Sequence, residues 1–157
     1  MLRDIEKSQH ALLAMKHFKE GYNCAQAVFL SFSDYYELDK KTAARIASGF
    51  GGGMGRLREV CGATTGMFMV IGLTHGYDDP KAREEKTAVY KMVQDLAADM
   101  EESNGSIICR ELLGLTKKKE EPIPAERTES YYKKRPCVEI VGQAAALLEE
   151  YLNNLET

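Results

Sequence analysis

Four cysteines, Cys24, Cys61, Cys109 and Cys137, are the residues of this 157-residue chain best suited to chemistry. A thiolate is a nucleophile, a redox group and a soft metal ligand, so a set of four admits each of these uses. No pair has the C-x-x-C spacing of a thioredoxin-like site or a zinc knuckle. Any shared site must therefore be assembled by the fold. Cys61 has the most unusual neighbourhood: a glycine run, Gly49-Phe50-Gly51-Gly52-Gly53-Met54-Gly55, precedes it, followed by Arg56 and Arg58. Glycines reach φ > 0 and tolerate close backbone approach. Gly51, Gly52, Gly53, Gly55 and Gly62 are thus the candidates for closing around whatever the thiolates bind. The run lacks the Gly-Lys-Ser/Thr end of a phosphate loop, so packing around the cysteine site is the better reading.

The elements that must position these thiols read as helices separated by glycine and proline. The pattern predicts a first helix over about Leu2–Glu20, with Leu2, Ile5, Leu12 and Met15 inward, stopped by Gly21. Asn23 predicts the cap of a second, Cys24 to about Ser33, and Asp39 that of a third, Lys40–Ser48. A fourth, Cys61–His75, is apolar nearly all round and is predicted to be central; Gly62 and Gly66 share one face of it. Asp79-Pro80 predicts the start of a fifth helix to about Ser103. Ser106 predicts the cap of a short sixth, Ile107–Leu113. A charged stretch from Thr116 to Arg135 then reads as a long solvated connection. Pro136 opens the last helix, Cys137–Leu155, whose Val138, Val141, Ala145, Leu148, Leu152 and Leu155 recur at steps of three and four. No strand alternation or internal repeat is evident. The expected fold is all-α: one domain over residues 1–157, a bundle of about seven helices with a glycine-rich loop leading into the central one.

On this map every cysteine falls in the first turn of a different helix, where the positive end of the dipole and free backbone N–H groups favour a thiolate. Cys61 is the expected nucleophile for dithiol chemistry, since it adjoins both the glycine loop and the arginines. His10, His17 and His75 read as surface or capping residues.

Cys61-Gly62-Ala63-Thr64-Thr65-Gly66 resembles the Cys-Gly-Ala-x-x-Gly signature of the C_GCAxxG_C_C family of redox-active proteins. Cys24 resembles the cysteine that family carries ahead of the signature, and Cys109 and Cys137 the two behind it. The resemblance covers about Gly21 to Leu148. It implies an all-helical fold and a redox role, often near transporter genes in bacteria. A related domain in split-Soret cytochromes is associated with an iron–sulfur centre. The chain has no Cys-x-x-Cys-His, so covalent haem attachment is not implied.

Three functions are compatible with these residues. The first is electron transfer through one site in which Cys24, Cys61, Cys109 and Cys137 ligate a [2Fe–2S] cluster or other metal, a centre that aerobic handling can strip. The second is a thiol–disulfide oxidoreductase using Cys61 and a resolving cysteine. The third is a helical assembly module stapled by structural zinc. A hydrophobic content of 44% and a charged content of 29% describe an ordinary soluble domain. A net charge of −3 excludes a footprint for nucleic acid. The apolar run Met67–Leu73 is too short to span a bilayer. Cytoplasmic location, a redox partner and a homodimer formed through the last helix are the corresponding expectations.

Overall fold

The computed structural model describes residues 5–116 and 119–156. Among the described residues there are nine helical segments: α1 Gln9–Lys19, α2 Cys24–Ser31, α3 Lys40–Ala47, α4 Gly51–Met54, α5 Gly62–His75, α6 Arg83–Asn104, α7 Cys109–Leu112, α8 Glu129–Lys134 and α9 Cys137–Leu155. Three short 3-10 turns accompany them. The fold is an all-α bundle, and the glycine-rich loop leads into α5 as the pattern predicts. Among the described residues, extended pairing is confined to one antiparallel bridge between Val60 and Ile108.

Side-chain caps set several boundaries. Asn23 Oδ1 accepts from Gln26 N–H at 2.9 Å while Gln26 Oε1 accepts from Asn23 N–H at 3.0 Å, a reciprocal capping box at the start of α2. Asn23 Nδ2 also donates to Ser48 O at 3.0 Å, tying α2 to the end of α3. Replacing Asn23 with Ala is expected to destabilise the protein by about 1–2 kcal/mol in equilibrium denaturation, the range for losing a side-chain cap. Asp39 Oδ2 caps α3 by accepting from Thr42 N–H at 3.0 Å.

α5 packs along α2, α6 and α9, and α9 lies against α1, α2, α5 and α6. Eight of α5's fourteen residues are buried, including the whole segment Gly62 to Met67. α9 buries a continuous run from Ile140 to Leu148, together with Leu152. Of the apolar stripe that suggests a homodimer, Val141, Ala145, Leu148 and Leu152 are thus buried within the chain, Val138 is half-buried and Leu155 is exposed.

Four boundaries depart from the sequence pattern. α1 starts at Gln9, where Ser8 Oγ accepts from Ala11 N–H at 3.0 Å. Its buried face is Ala11, Ala14, His17 and Phe18, whereas Leu12 is 44% exposed; Leu2 lies outside the described residues. His17 is therefore a core residue, and His10 links helices, its Nδ1 2.6 Å from Glu149 Oε1 and its Nε2 2.9 Å from Asp34 Oδ2. α6 begins at Arg83, because Asp79 Oδ1 spends its acceptor on Lys81 N–H at 2.9 Å in a turn. Ile108 is extended, and Ser106 Oγ holds its N–H at 2.9 Å, so α7 starts only at Cys109. The charged connection contains α8, capped by Thr128 Oγ1 accepting from Tyr131 N–H at 3.2 Å. Lys117 and Lys118 of that connection lie outside the described residues.

Candidate functional site: a cysteine-lined cavity

Cys24, Cys109 and Cys137 are the first residues of α2, α7 and α9, and Cys61 is the N-cap of α5. All four line one cavity of about 70 Å³, enough for a few waters. Arg58, Arg127, Tyr131 and Arg135 complete its polar wall.

Backbone pairing sets the positions of two of these thiols. Cys61 N–H donates to Ile107 O at 2.8 Å and Cys109 N–H donates to Glu59 O at 2.6 Å, on either side of the Val60–Ile108 bridge. The glycines allow the surrounding layers to close. A Cβ at Gly53 would lie 2.6 Å from Cys109 Cβ, and one at Gly62 would lie 3.1 Å from Cys24 Cβ and 3.0 Å from Phe50 O. At Gly66 a Cβ would meet Ala25 O at 3.0 Å, so the two signature glycines let α5 sit directly on the start of α2. Gly51 is similarly pressed against Asn23, where a Cβ would be 2.4 Å from Asn23 Cβ. Gly51, Gly53 and Gly62 thus close on Asn23, Cys109 and Cys24, and Gly52, Gly53 and Gly62 also line the cysteine cavity. Gly52 faces the Arg56 side chain, and Gly55 has only Gly49 O nearby, at 3.8 Å from a built Cβ.

The loop between α4 and α5 carries non-glycine residues in the left-handed region: Met54 at φ 71°, Arg56 at 66° and Arg58 at 60°. Each such residue costs on the order of 1 kcal/mol, so something must hold the loop in place. Glu120 does so. Its Oε1 accepts from Arg58 Nε at 2.5 Å and its Oε2 from Arg56 Nη2 at 3.1 Å, while its N–H donates to Arg56 O at 3.0 Å. Arg56 Nε donates to Glu121 O at 2.7 Å. Arg58 is only 3% exposed, and its Nη1 lies 3.4 Å from Cys109 Sγ. Burial works against its charge, but Cys109 and Glu120 together keep its pKa above the ordinary arginine value.

The four thiols differ electrostatically although all sit at helix starts. Burial pushes Cys61 up to about 11, despite hydrogen bonds from the Thr64 and Ala63 backbone. Burial also raises Cys109, and Arg58 only partly offsets it. Cys24 is raised, first by its hydrogen bond with Cys137 and then by burial. Cys137 alone moves down, to about 7: the Cys24 hydrogen bond favours its thiolate, burial opposes, and Arg135, Arg127 and Arg58 add positive potential. The two members of this pair move in opposite directions, Cys24 up and Cys137 down. Cys137, and not Cys61, is thus the thiol whose ionisation is favoured, because desolvation of a buried thiol opposes the helix-start contribution at Cys61.

The expected metal centre is also corrected. Among the described residues no group of three or more His, Cys, Asp or Glu side chains is placed to hold a metal ion. The four thiols are spread along the wall of one cavity, and no three of them converge on a point where one ion could be held. Cys24, Cys61, Cys109 and Cys137 thus do not form a ligand set for a [2Fe–2S] cluster, another thiolate-bound metal or structural zinc. None of the four is in a disulfide.

Sequence reasoning missed two parts of the cavity wall, Arg127 and the Tyr131–Arg135 pair, and Glu120 behind it. Arg127 donates to Phe18 O at 2.8 Å and Tyr22 O at 3.1 Å, closing the end of α1, with its guanidinium 4.1 Å from the Phe18 ring centroid. Arg135 lies over the Tyr131 ring at 5.4 Å. The one available signal was Thr128, a helix cap with Glu129 behind it; nothing local marks Glu120.

No helix among the described residues is long and apolar enough to cross a membrane. No curated protein and no solved structure matches the chain. The family described as "Putative redox-active protein (C_GCAxxG_C_C)" matches residues 22–151. That stretch holds all four cysteines, the Cys61–Gly66 signature and the segments that build the cavity, and the chain belongs to the C_GCAxxG_C_C family.

Proposed function

We propose that the protein is a thiol–disulfide redox protein in which Cys137 attacks and Cys24 resolves. This reading rests on the placement of Cys24 and Cys137 at the starts of α2 and α9 in one cavity walled by Arg58, Arg127 and Arg135, where first Cys24 and then those arginines draw Cys137 down to about 7. A thiol near that value is about half ionised at neutral pH, close to the optimum for attack. The Cys137 thiolate attacks one sulfur of a substrate disulfide R–S–S–R, forming a Cys137–S–S–R bond and expelling R–S⁻. The Cys24 proton passes to that leaving thiolate. Cys24 then attacks Cys137 Sγ, forming the Cys24–Cys137 bond and releasing the second R–S⁻. The substrate gains two electrons and the dithiol loses two. A thiol reductant, of the kind a cytoplasmic pool supplies, reverses the sequence by the same two exchanges. Cys61 and Cys109, protonated and buried, hold the Val60–Ile108 pairing and the loop arginines in place.

The test is the ultraviolet absorbance of thiolate as a function of pH. One thiolate is expected to appear with an apparent pKa near 7, and Cys24→Ala is expected to move it toward the ordinary thiol value. The absence of any thiolate below the ordinary range in the wild-type protein would contradict the reading.

A further inference from the structure

Beside the cysteine cavity lies a larger cleft of about 330 Å³, within the lower range of small-ligand sites. Asn23, Gly52, Arg58, Arg127, Tyr131 and Arg135 belong to both, so the cleft opens on the wall that carries the thiols. Arg56 and the Pro122–Pro124 segment form its outer side. Four guanidinium groups line it, and among the described residues no carboxylate does. Glu120, behind the wall, answers Arg56 and Arg58. Arg127 and Arg135 have no ion-pair partner among the described residues; the first spends its donors on carbonyls, and the second rests on a ring. Such an excess of positive charge in a concave, partly desolvated site is a recognition device for anions, and guanidinium groups match carboxylates in geometry.

Size narrows the ligand. The inner cavity of about 70 Å³ admits a sulfur and the methylenes next to it, whereas the outer cleft holds several more atoms. We propose that this cleft is the substrate subsite, and that it selects low-molecular-weight disulfides bearing carboxylates, held by Arg135 and Arg127 while one sulfur enters the cysteine cavity. This assignment rests on the Cys137–Cys24 exchange reading and adds the class of substrate to it. Exchange follows the same balanced steps, with R carrying a carboxylate that stays with the leaving thiolate.

The experiment compares two aromatic disulfides under pseudo-first-order conditions with the intact, reduced protein: dithiobis(nitrobenzoate), with a carboxylate on each ring, and neutral dithiodipyridine. The ratio of their rate constants is divided by the same ratio for free cysteine, which removes intrinsic leaving-group differences. At low ionic strength the normalised ratio is expected to exceed one by about 10-fold or more. It should collapse toward one in about 1 M salt, where the screening length is short. Arg135→Gln should lower the ratio several-fold and Arg135→Lys should retain most of it. The neutral reagent corrects for any change in Cys137 ionisation in either variant. A normalised ratio near one for the wild-type protein at low salt, with both reagents reacting, overturns the anion subsite and leaves the exchange reading standing. Failure of Cys137 to react with either reagent overturns both.

Discussion

Cys137→Ser is expected to lower the rate of reaction with a small neutral disulfide at neutral pH by on the order of 100-fold, while Cys61→Ser leaves it nearly unchanged. The magnitude follows from the two thiols' ionisation. With Cys137 near 7 and Cys61 near 11, about half of the first and roughly one part in ten thousand of the second is thiolate at neutral pH. The weaker base is also the weaker nucleophile: with a Brønsted slope of about 0.4–0.5, the four-unit difference returns roughly 40- to 100-fold to Cys61. About 50- to 125-fold remains in favour of Cys137, before the buried position of Cys61 is counted. Stopped-flow rates on the reduced single variants measure this. If Cys61→Ser carries the large loss instead, the helix-start contribution governs reactivity in this protein and desolvation does not.

The second large effect concerns Gly53. It combines a φ of +67° with the tightest approach to a site cysteine: a Cβ there would stand 2.6 Å from Cys109 Cβ and 2.8 Å from both Arg58 Cα and Glu59 N. Two of those atoms are backbone and cannot rotate away. The left-handed conformation costs alanine about 1–2 kcal/mol, and overpacking adds typically about 1–3 kcal/mol. Gly53→Ala is therefore expected to destabilise the protein by about 2–5 kcal/mol. At about 2–4 °C per kcal/mol for a chain of this size, the melting temperature falls by about 4–20 °C. Gly55→Ala is the control. Its φ of +61° imposes the strain alone, since the nearest atom to a built Cβ is Gly49 O at 3.8 Å, and about 1–2 kcal/mol is expected. Equal effects at the two positions would mean that the contact with Cys109 does not limit the packing.

Local chemistry made much of the scaffold legible. Asn23 and Asp39 are caps because a short acceptor precedes an apolar run, and Gly62 and Gly66 are small because one helix face must approach another. Those signals are complete within a few residues, and α2, α3 and α5 follow them. The ends of α1 and α6 were less legible. Leu2 and Pro80 carry helix-compatible features, but Ser8 and the Asp79 turn are stronger local hydrogen-bonding devices, and they decide where the helices begin. The extended Ile108 was illegible for another reason: its partner, Val60, lies far away in sequence.

The site divides along the same line. That every cysteine begins a helix was readable from Asn23, Ser106, Pro136 and the glycine run. Which of them ionises was not. Helix starts favour thiolates at all four positions, so they cannot rank them; the ranking comes from the Cys24–Cys137 pairing, from burial, and from Arg135, two residues before Cys137, joined by Arg127 and by Arg58 from the loop before α5. The metal reading failed for a related reason: a count of four sulfurs says nothing of whether the fold brings three of them to one point. Glu120 belongs with these unreadable features, since its grip on Arg56 and Arg58 spans more than sixty residues of chain.

The pairing of Cys24 with Cys137 is tested most directly by oxidising the reduced protein with a stoichiometric small disulfide and mapping the product by peptide mass spectrometry. The account predicts a Cys24–Cys137 bond, with Cys61 and Cys109 recovered as free thiols. A Cys61–Cys109 bond, or oxidation spread over all four cysteines, would contradict it.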